Sequence, residues 1–404
     1  MKIELIILMG AALMGSCKNS PEGSLKQAAE ASIKEMPVND TCRTIKVPDM
    51  SLETMINVET IFDSVSFVRL SNKPEAILGG VNQLIINDSL LIIRDCYSTK
   101  SVKIFSLSGD YLRRIGNYGR GPGEYMQPTY MQLTPDGNIL IWDQFLRKLS
   151  CYDLAGKFLY AANVPFFCLK FYRFGNSRYM FNSVNSDNDK FKAIINYSLF
   201  ECNDRMEPVY RGLYRKKGTY ESFLTDHNFF DRDSILYYHP IYCDTIYSVR
   251  PDRTIKAEFA FDFGRQTVPE RLRKGKRRKE VRREQSLEKY SFMSGDFYLT
   301  DHYLHFGYTR AHRQFNGIYS FDTGELVTFF RREGFFPIPF LNIVCSTDNA
   351  FVGYFFPALV LQHIQGWDKA DYDKLVKQFG QKMVDLGLSL QNEDNPVITF
   401  FYLK

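Results

Sequence analysis

The chain has 404 residues, 45% of them hydrophobic and 24% charged, which excludes a disordered chain and leaves ample material for a large core. Its formal net charge is +5, yet residues 265–292 hold 11 Lys or Arg against 4 Glu, so the remainder is slightly acidic. A generally basic nucleic-acid binder is excluded by that distribution, because the positive charge is one local insertion.

The N-terminus reads "MKIELIILMGAALMGSC". Lys2 precedes a short apolar run, and the small residues Gly15 and Ser16 precede Cys17. The run is too short to span a bilayer and reads as a secretion signal over residues 1–16. "LMGSC" resembles a bacterial lipobox, which implies an acylated Cys17 and a lipid anchor in the membrane of the cell envelope, with the outer membrane expected and the leaflet open. Residues 17–50 are polar without a clean apolar period and are expected to form a tether.

Beyond residue 50, strand-like runs break repeatedly at small polar turns: Gly109, Gly156, Asn203, Asp252 and Gly324, at intervals of 47, 47, 49 and 72. A period in the high forties with only β patterning predicts a propeller of four-stranded blades over residues 51–404. Blade one is "VNQLIINDSLLIIRD…SVKIFSLSGDYLRRIG" and blade two "PTYMQLTPDGNILIWD…KLSCYDLAGKFLYAANV". Blades three and four fall at about residues 167–212 and 222–264. The basic insertion, residues 265–292, accounts for the interval of 72 and reads as a helix with Glu280 and Glu284 spaced to pair with arginines. Blade five follows. Blade six starts at "IPFLNIVCSTDNAFVGYFF", is interrupted by a helical insertion at residues 366–392 with Leu375, Phe379, Met383 and Leu386 on one face, and ends in "NPVITFFYLK". The orphan strand at residues 63–71 is assigned to blade six. The expected fold is all-β: a six-bladed β-propeller closed by pairing of N-terminal and C-terminal strands, with two helical insertions on one face.

"FVRLSN" before blade one, "GNYGRGPGEY" after it and "NEDNPVITFFYLK" at the end resemble the six-bladed β-propeller lipoproteins of Bacteroidota, relatives of NHL-repeat propellers. The resemblance covers residues 50–404. It implies fold and envelope address and no particular activity.

Strand topology puts the long connections and the inner ends of the second strands on one face. Arg94, Asp95, Trp142, Asp143, Asn182, Tyr238, His239, Tyr308 and Tyr354 are therefore candidate ligand-binding residues. Asp95 and Asp143 are also read as acceptors for loop amides. Arg120 and Glu124 in the glycine-rich loop are candidates too, with mutual pairing as the structural alternative. That loop lacks the Gly-Lys-Ser/Thr ending of a phosphate loop. No residue is assigned a catalytic or metal-binding role, and no cofactor is expected: the candidate ring is poor in carboxylates, and no Ser-His-Asp set or H-E-x-x-H pattern is present. Cys151, Cys168 and Cys345 read as buried small hydrophobes. The functional expectation is non-catalytic binding of a glycan, a peptide or an outer-membrane protein partner through the loop-rich face, with no nucleic-acid partner. The alternatives are a channel-metal hydrolase of lactonase or lyase type and a structural docking platform in an outer-membrane complex.

Overall fold

The computed structural model describes residues 33–48, 62–175, 177–183, 188, 190–214, 227–240, 243–269, 290–311, 313–330, 342–358, 361, 372–373, 376 and 381–404. The signal segment, Cys17, residues 270–289 of the basic insertion, and Leu375 and Phe379 lie outside them.

Six antiparallel four-stranded units follow one another in chain order. In blade one the strands are Gln83–Ile86, Leu90–Asp95, Ser101–Ser106 and Tyr111–Ile115. Blade two comprises Tyr130–Leu133, Ile139–Asp143, Lys148–Tyr152 and Phe158–Asn163. Blade three comprises Cys168–Phe174, Arg178–Ser183, Tyr197–Cys202 and Pro208–Tyr214. Blade four comprises Phe229–Arg232, Ile235–Tyr238, Thr245–Val249 and Ile255–Asp262. Blade five comprises Ser291–Leu299, Tyr303–Arg310, Arg313–Ser320 and Leu326–Phe330. Blade six takes Ile343–Ser346, Ala350–Phe355 and Val397–Leu403 from the end of the chain and its outermost strand, Phe62–Arg69, from the beginning.

Alternating side chains pack between sheets, so the core is a set of wedges between neighbouring blades. Ile92, Ile104, Met131 and Ile141 fill the wedge between blades one and two. Leu84, Leu91, Val352 and Ile398 fill that between blades six and one. Turn chemistry reinforces the period. Gly109 has φ +93°, and a Cβ there would lie 2.0 Å from the Arg69 carbonyl oxygen, so only glycine lets this turn meet the neighbouring blade.

The expected closure and the expected pair of helices are both corrected. Among the described residues no sheet closes on itself by strand pairing: each is open, with two edges. Neighbouring inner strands are instead joined by side chains that imitate a strand edge. The Gln83 amide donates to Met131 O (2.8 Å) and accepts from Met131 N–H (3.0 Å). Gln132 does the same to Arg173, at 3.2 and 2.7 Å. Asn395 accepts from Leu78 N–H at 2.7 Å and donates to Ser71 O and Ala76 O. Diverging blades leave too wide a gap for a backbone ladder, and a primary amide spans it. Among the described residues one helix has defined bounds, α1 (Gln381–Ser389) in the blade-six insertion. Its Leu386 packs with Phe67, Phe355 and Val397.

The second half of the segment read as a tether is docked. Lys34–Glu35 pairs in parallel with the outer strand of blade three; Val38–Asn39 and Arg43–Lys46 pair with that of blade four. Met36, Ile45 and Val47 are buried beneath this strap. Seven cysteines are free thiols, among them the buried Cys151, Cys168 and Cys345.

Candidate functional site

Most of the ring expected on the loop-rich face is engaged inside the protein. Arg94 is buried and donates to Gln83 Oε1 (3.1 Å), Pro128 O (3.1 Å) and Asn82 O (3.3 Å). Asp95 accepts from the N–H groups of Gly79, Ser98 and Thr99 and from the Thr99 hydroxyl, all within 3.0 Å. Asp143 repeats that pattern one blade later, accepting from the N–H groups of Met126, Gln127, Phe145 and Leu146. Four donors fill the acceptor capacity of one carboxylate. Trp142 is wholly buried and its indole donates to Cys168 O at 3.1 Å. Asn182 donates to the buried Tyr238 hydroxyl at 2.9 Å, and His239 Nε2 contacts Cys243 O at 2.7 Å. Tyr308 is buried and stacks on Phe315. Tyr354 is half-buried against Phe356. In the glycine-rich loop Glu124 accepts from Gly121 N–H at 2.7 Å, while Arg120 is exposed. A Cβ at Gly119 would lie 2.1 Å from Glu124 Oε2, so the glycine makes room for this carboxylate rather than for a ligand.

The open space lies on the axis. A cavity of about 490 Å³ is lined by the inner strands of blades one, two, four, five and six. It reaches the first-to-second strand turns at residues 87–88 and 347–348. Those turns are on the face opposite to the long connections. At its inner end, rings from three blades converge: Tyr130 meets Phe171 at 5.7 Å and Phe229 at 6.3 Å, edge-on in both cases.

Asp231, on the inner strand of blade four, lines this cavity. Asp231 is exposed, although the protein packs around its carboxyl. Burial pushes its carboxyl up to about 6, from an ordinary 3.8. Its own backbone N–H lowers it in part. The charge of Asp231 is felt by Tyr130 and Tyr172, both pushed up chiefly by burial and secondarily by this carboxylate. It is felt also by Cys345, which burial raises to about 12. The next residue, Arg232, points to the rim. It donates to Leu299 O at 3.2 Å, to Asp301, and to Asp348 at 2.9 Å, with Asp233 at 3.5 Å from its Nε. The turn beyond it holds Asp233 and Ser234 at φ +52° and +62°, a left-handed pair that side-chain-bearing residues adopt at a cost.

Sequence reasoning passed over Asp231, Tyr130 and Arg232. The available signal was a carboxylate in an otherwise apolar inner strand, "NFFDRDS", but the run reads as a turn because Asp231 and Asp233 flank Arg232. Among the described residues no group of three His, Cys, Asp or Glu side chains could hold a metal ion.

The fold has solved counterparts. The exported-protein candidate BF0058 of Bacteroides fragilis NCTC 9343 is similar over 90% of this chain and 100% of its own, with a TM-score of 0.73 at 18% identity. A member of the duf4221 family from Bacteroides vulgatus is similar over 85% and 97% respectively, with a TM-score of 0.51 at 11% identity. At these identities the likeness concerns the fold. No curated protein matches the sequence. The profile described as "Domain of unknown function (DUF4934)" matches residues 42–402, spanning all six blades and the end of the strap, and the chain belongs to that family.

Proposed function

We propose that this protein is a lipid-anchored β-propeller of the cell envelope, on the outer membrane, that binds a glycan, a peptide or an envelope protein without transforming it. The axial cavity, rather than the loop-rich face, takes the group that is recognised. One observation carries this reading: most polar side chains expected to face a ligand on the loop-rich side are engaged in internal hydrogen bonds, whereas the exposed Asp231 borders an open cavity of about 490 Å³. That volume falls in the range of small-ligand sites. The anchor rests on "LMGSC" alone, since no described helix is long and apolar enough to cross a membrane.

Two experiments test the reading. Full-length protein in detergent is screened on glycan and peptide arrays, and each hit is repeated with Asp231→Leu, which removes the carboxyl and narrows the cavity. Hits should weaken on that change; hits indifferent to it would remove the cavity from the function. Separately, Cys17→Ser should release the protein from membranes, and unchanged retention with no lipid mass on the mature N-terminus would overturn the anchor.

A further inference from the structure

We infer that the loop-rich face over blades one and two carries a second binding surface, an aromatic and basic platform that takes an anionic polysaccharide chain. It is separate from the axial cavity, which reaches the turns of the opposite face, and it goes beyond the binding reading above.

Three large rings stand out in solvent: Tyr97 is 64% exposed, Tyr118 53% and Phe145 68%. Tyr97 and Phe145 hold the same place in successive blades, two residues beyond Asp95 and Asp143. Each of these carboxylates binds two N–H groups of the loop that carries its ring, those of Ser98 and Thr99 in one and of Phe145 and Leu146 in the other. The rings are therefore presented on fixed turns. Tyr118 sits on a short parallel ladder between Asn117–Tyr118 and Glu124–Tyr125, and the buried Tyr125 hydroxyl pins that ladder to Ile115 O at 2.6 Å. The three loops are joined to one another. Gln127 Nε2 donates to Cys96 Sγ at 3.1 Å, while Gln127 N–H shares Asp143 with Phe145 N–H. Lys148 Nζ donates to Gly121 O (3.1 Å) and Glu124 O (2.7 Å), and Lys100 Nζ lies 5.5 Å from the centre of the Tyr118 ring. Exposed aromatic rings held rigidly and close together mark a contact surface, since ordering them has already been done by the fold.

The composition of the loops selects the occupant. Residues 96–100, 117–127 and 144–147 contain three cations, Lys100, Arg120 and Arg147, and one carboxylate, Glu124, which accepts from Gly121 N–H at 2.7 Å. Arg120 and Arg147 are exposed. The platform is thus positive and fits an anion, with guanidinium forks for carboxylate or sulfate groups. Its rings do not make one continuous apolar face: they stand on separate loops, set among Ser98, Thr99, Asn117 and Gln144. Separate flat rings among hydroxyls, amides and cations match a chain of pyranose units, whose C–H faces are apolar and whose edges carry hydroxyls and charge.

The test is calorimetric titration of full-length protein in detergent with four probes: octagalacturonate, a heparin octasaccharide, maltooctaose and an end-blocked octaglutamate peptide. An acidic oligosaccharide should bind more tightly than maltooctaose, and octaglutamate should not bind. Binding of octagalacturonate alone assigns a carboxylated chain, and binding of the heparin fragment alone a sulfated one. Tyr97→Ala/Phe145→Ala should weaken the acidic sugar roughly tenfold, whereas Tyr97→Phe/Phe145→Tyr, which keeps both rings, should bind as the wild type does. Arg120→Gln/Arg147→Gln should also weaken it roughly tenfold and leave any maltooctaose binding unchanged. All four side chains are exposed, so melting should stay at the wild-type value throughout. Phosphatidylglycerol doped into the micelles should not displace the sugar. Failure of both acidic sugars to bind, or unchanged affinity in Tyr97→Ala/Phe145→Ala, would overturn the inference. So would octaglutamate binding as tightly as the sugar, which would assign the platform to an acidic protein segment, or displacement by the lipid, which would assign it to a membrane surface.

Discussion

Asp143 and Asp231 are both aspartates near the axis, yet their environments assign opposite roles. Asp143 holds four backbone N–H groups from two loops. Replacing it with Ala leaves those donors buried and unmatched, at a cost of about 3 kcal/mol, to be read from the shift in the urea unfolding midpoint. An unchanged midpoint would mean that water replaces the carboxylate and that the loops are not tied by it. Asp231 has the reverse character. Its folded carboxyl titrates near 6 against an ordinary 3.8, so the folded state binds the proton more tightly than the unfolded state. Stability attributable to this group is therefore complete below about pH 4 and is lost as the pH rises through about 6. Asp231→Asn should melt higher than the wild type above pH 6, with the difference vanishing near pH 4. Melting curves that differ equally at both ends of that window would contradict the assigned ionisation.

At the scale of the element, Arg232 acts for a whole strand. Its guanidinium joins the inner strand of blade four to Leu299 O in blade five and to Asp348 beside blade six. Arg232→Met should destabilise by about 1–2 kcal/mol, a modest value because Asp301 and Asp348 remain in water. The sharper sign is faster amide hydrogen exchange at the inner strands of blades five and six, and unchanged exchange there would show that the rim contributes nothing to blade docking. Elements of this kind explain which part of the architecture was legible. Strand alternation and turns at Gly109, Gly156 and Gly324 are local, and they mark the blades. The orphan strand was legible too, because Phe62–Arg69 alternates and has no hairpin of its own. Gln83 and Gln132 were not legible as blade connectors, since a glutamine in an alternating strand reads as a solvent-facing residue until the neighbouring edge is in place. The ring on the loop-rich face went astray for the same reason: alignment placed Trp142, Tyr238 and Tyr308 near the axis, but packing between blades turns their rings into the wedges. Asp231 is visible only once five inner strands surround it.

For the molecule as a whole, the strap over residues 33–48 is part of the folded unit. Met36, Ile45 and Val47 are buried, and at about 2 kcal/mol for each such side chain the strap contributes roughly 6 kcal/mol before entropy is counted. It also covers the outer edges of blades three and four, and Arg43 reaches over the Tyr319 and Phe321 rings of blade five. A chain beginning at residue 49 should lose stability and aggregate through those edges, as seen by light scattering. A monomeric truncation with unchanged melting would show that the strap is an ornament.

The strap also determines how the molecule would bear load. A pull arriving from upstream of residue 33 meets Lys34–Glu35 first, then Val38–Asn39, then Arg43–Lys46, and only afterwards the strand that blade six shares with the chain's end. The first three contacts are short and lie in sequence, so they would give way one at a time. Each release lengthens the leash by a few residues, at about 3.5 Å apiece, without opening a blade. If the proposed N-terminal anchor were pulled, the propeller would thus yield slack before it yielded shape, and the axial cavity would keep its walls while the strap is peeled away.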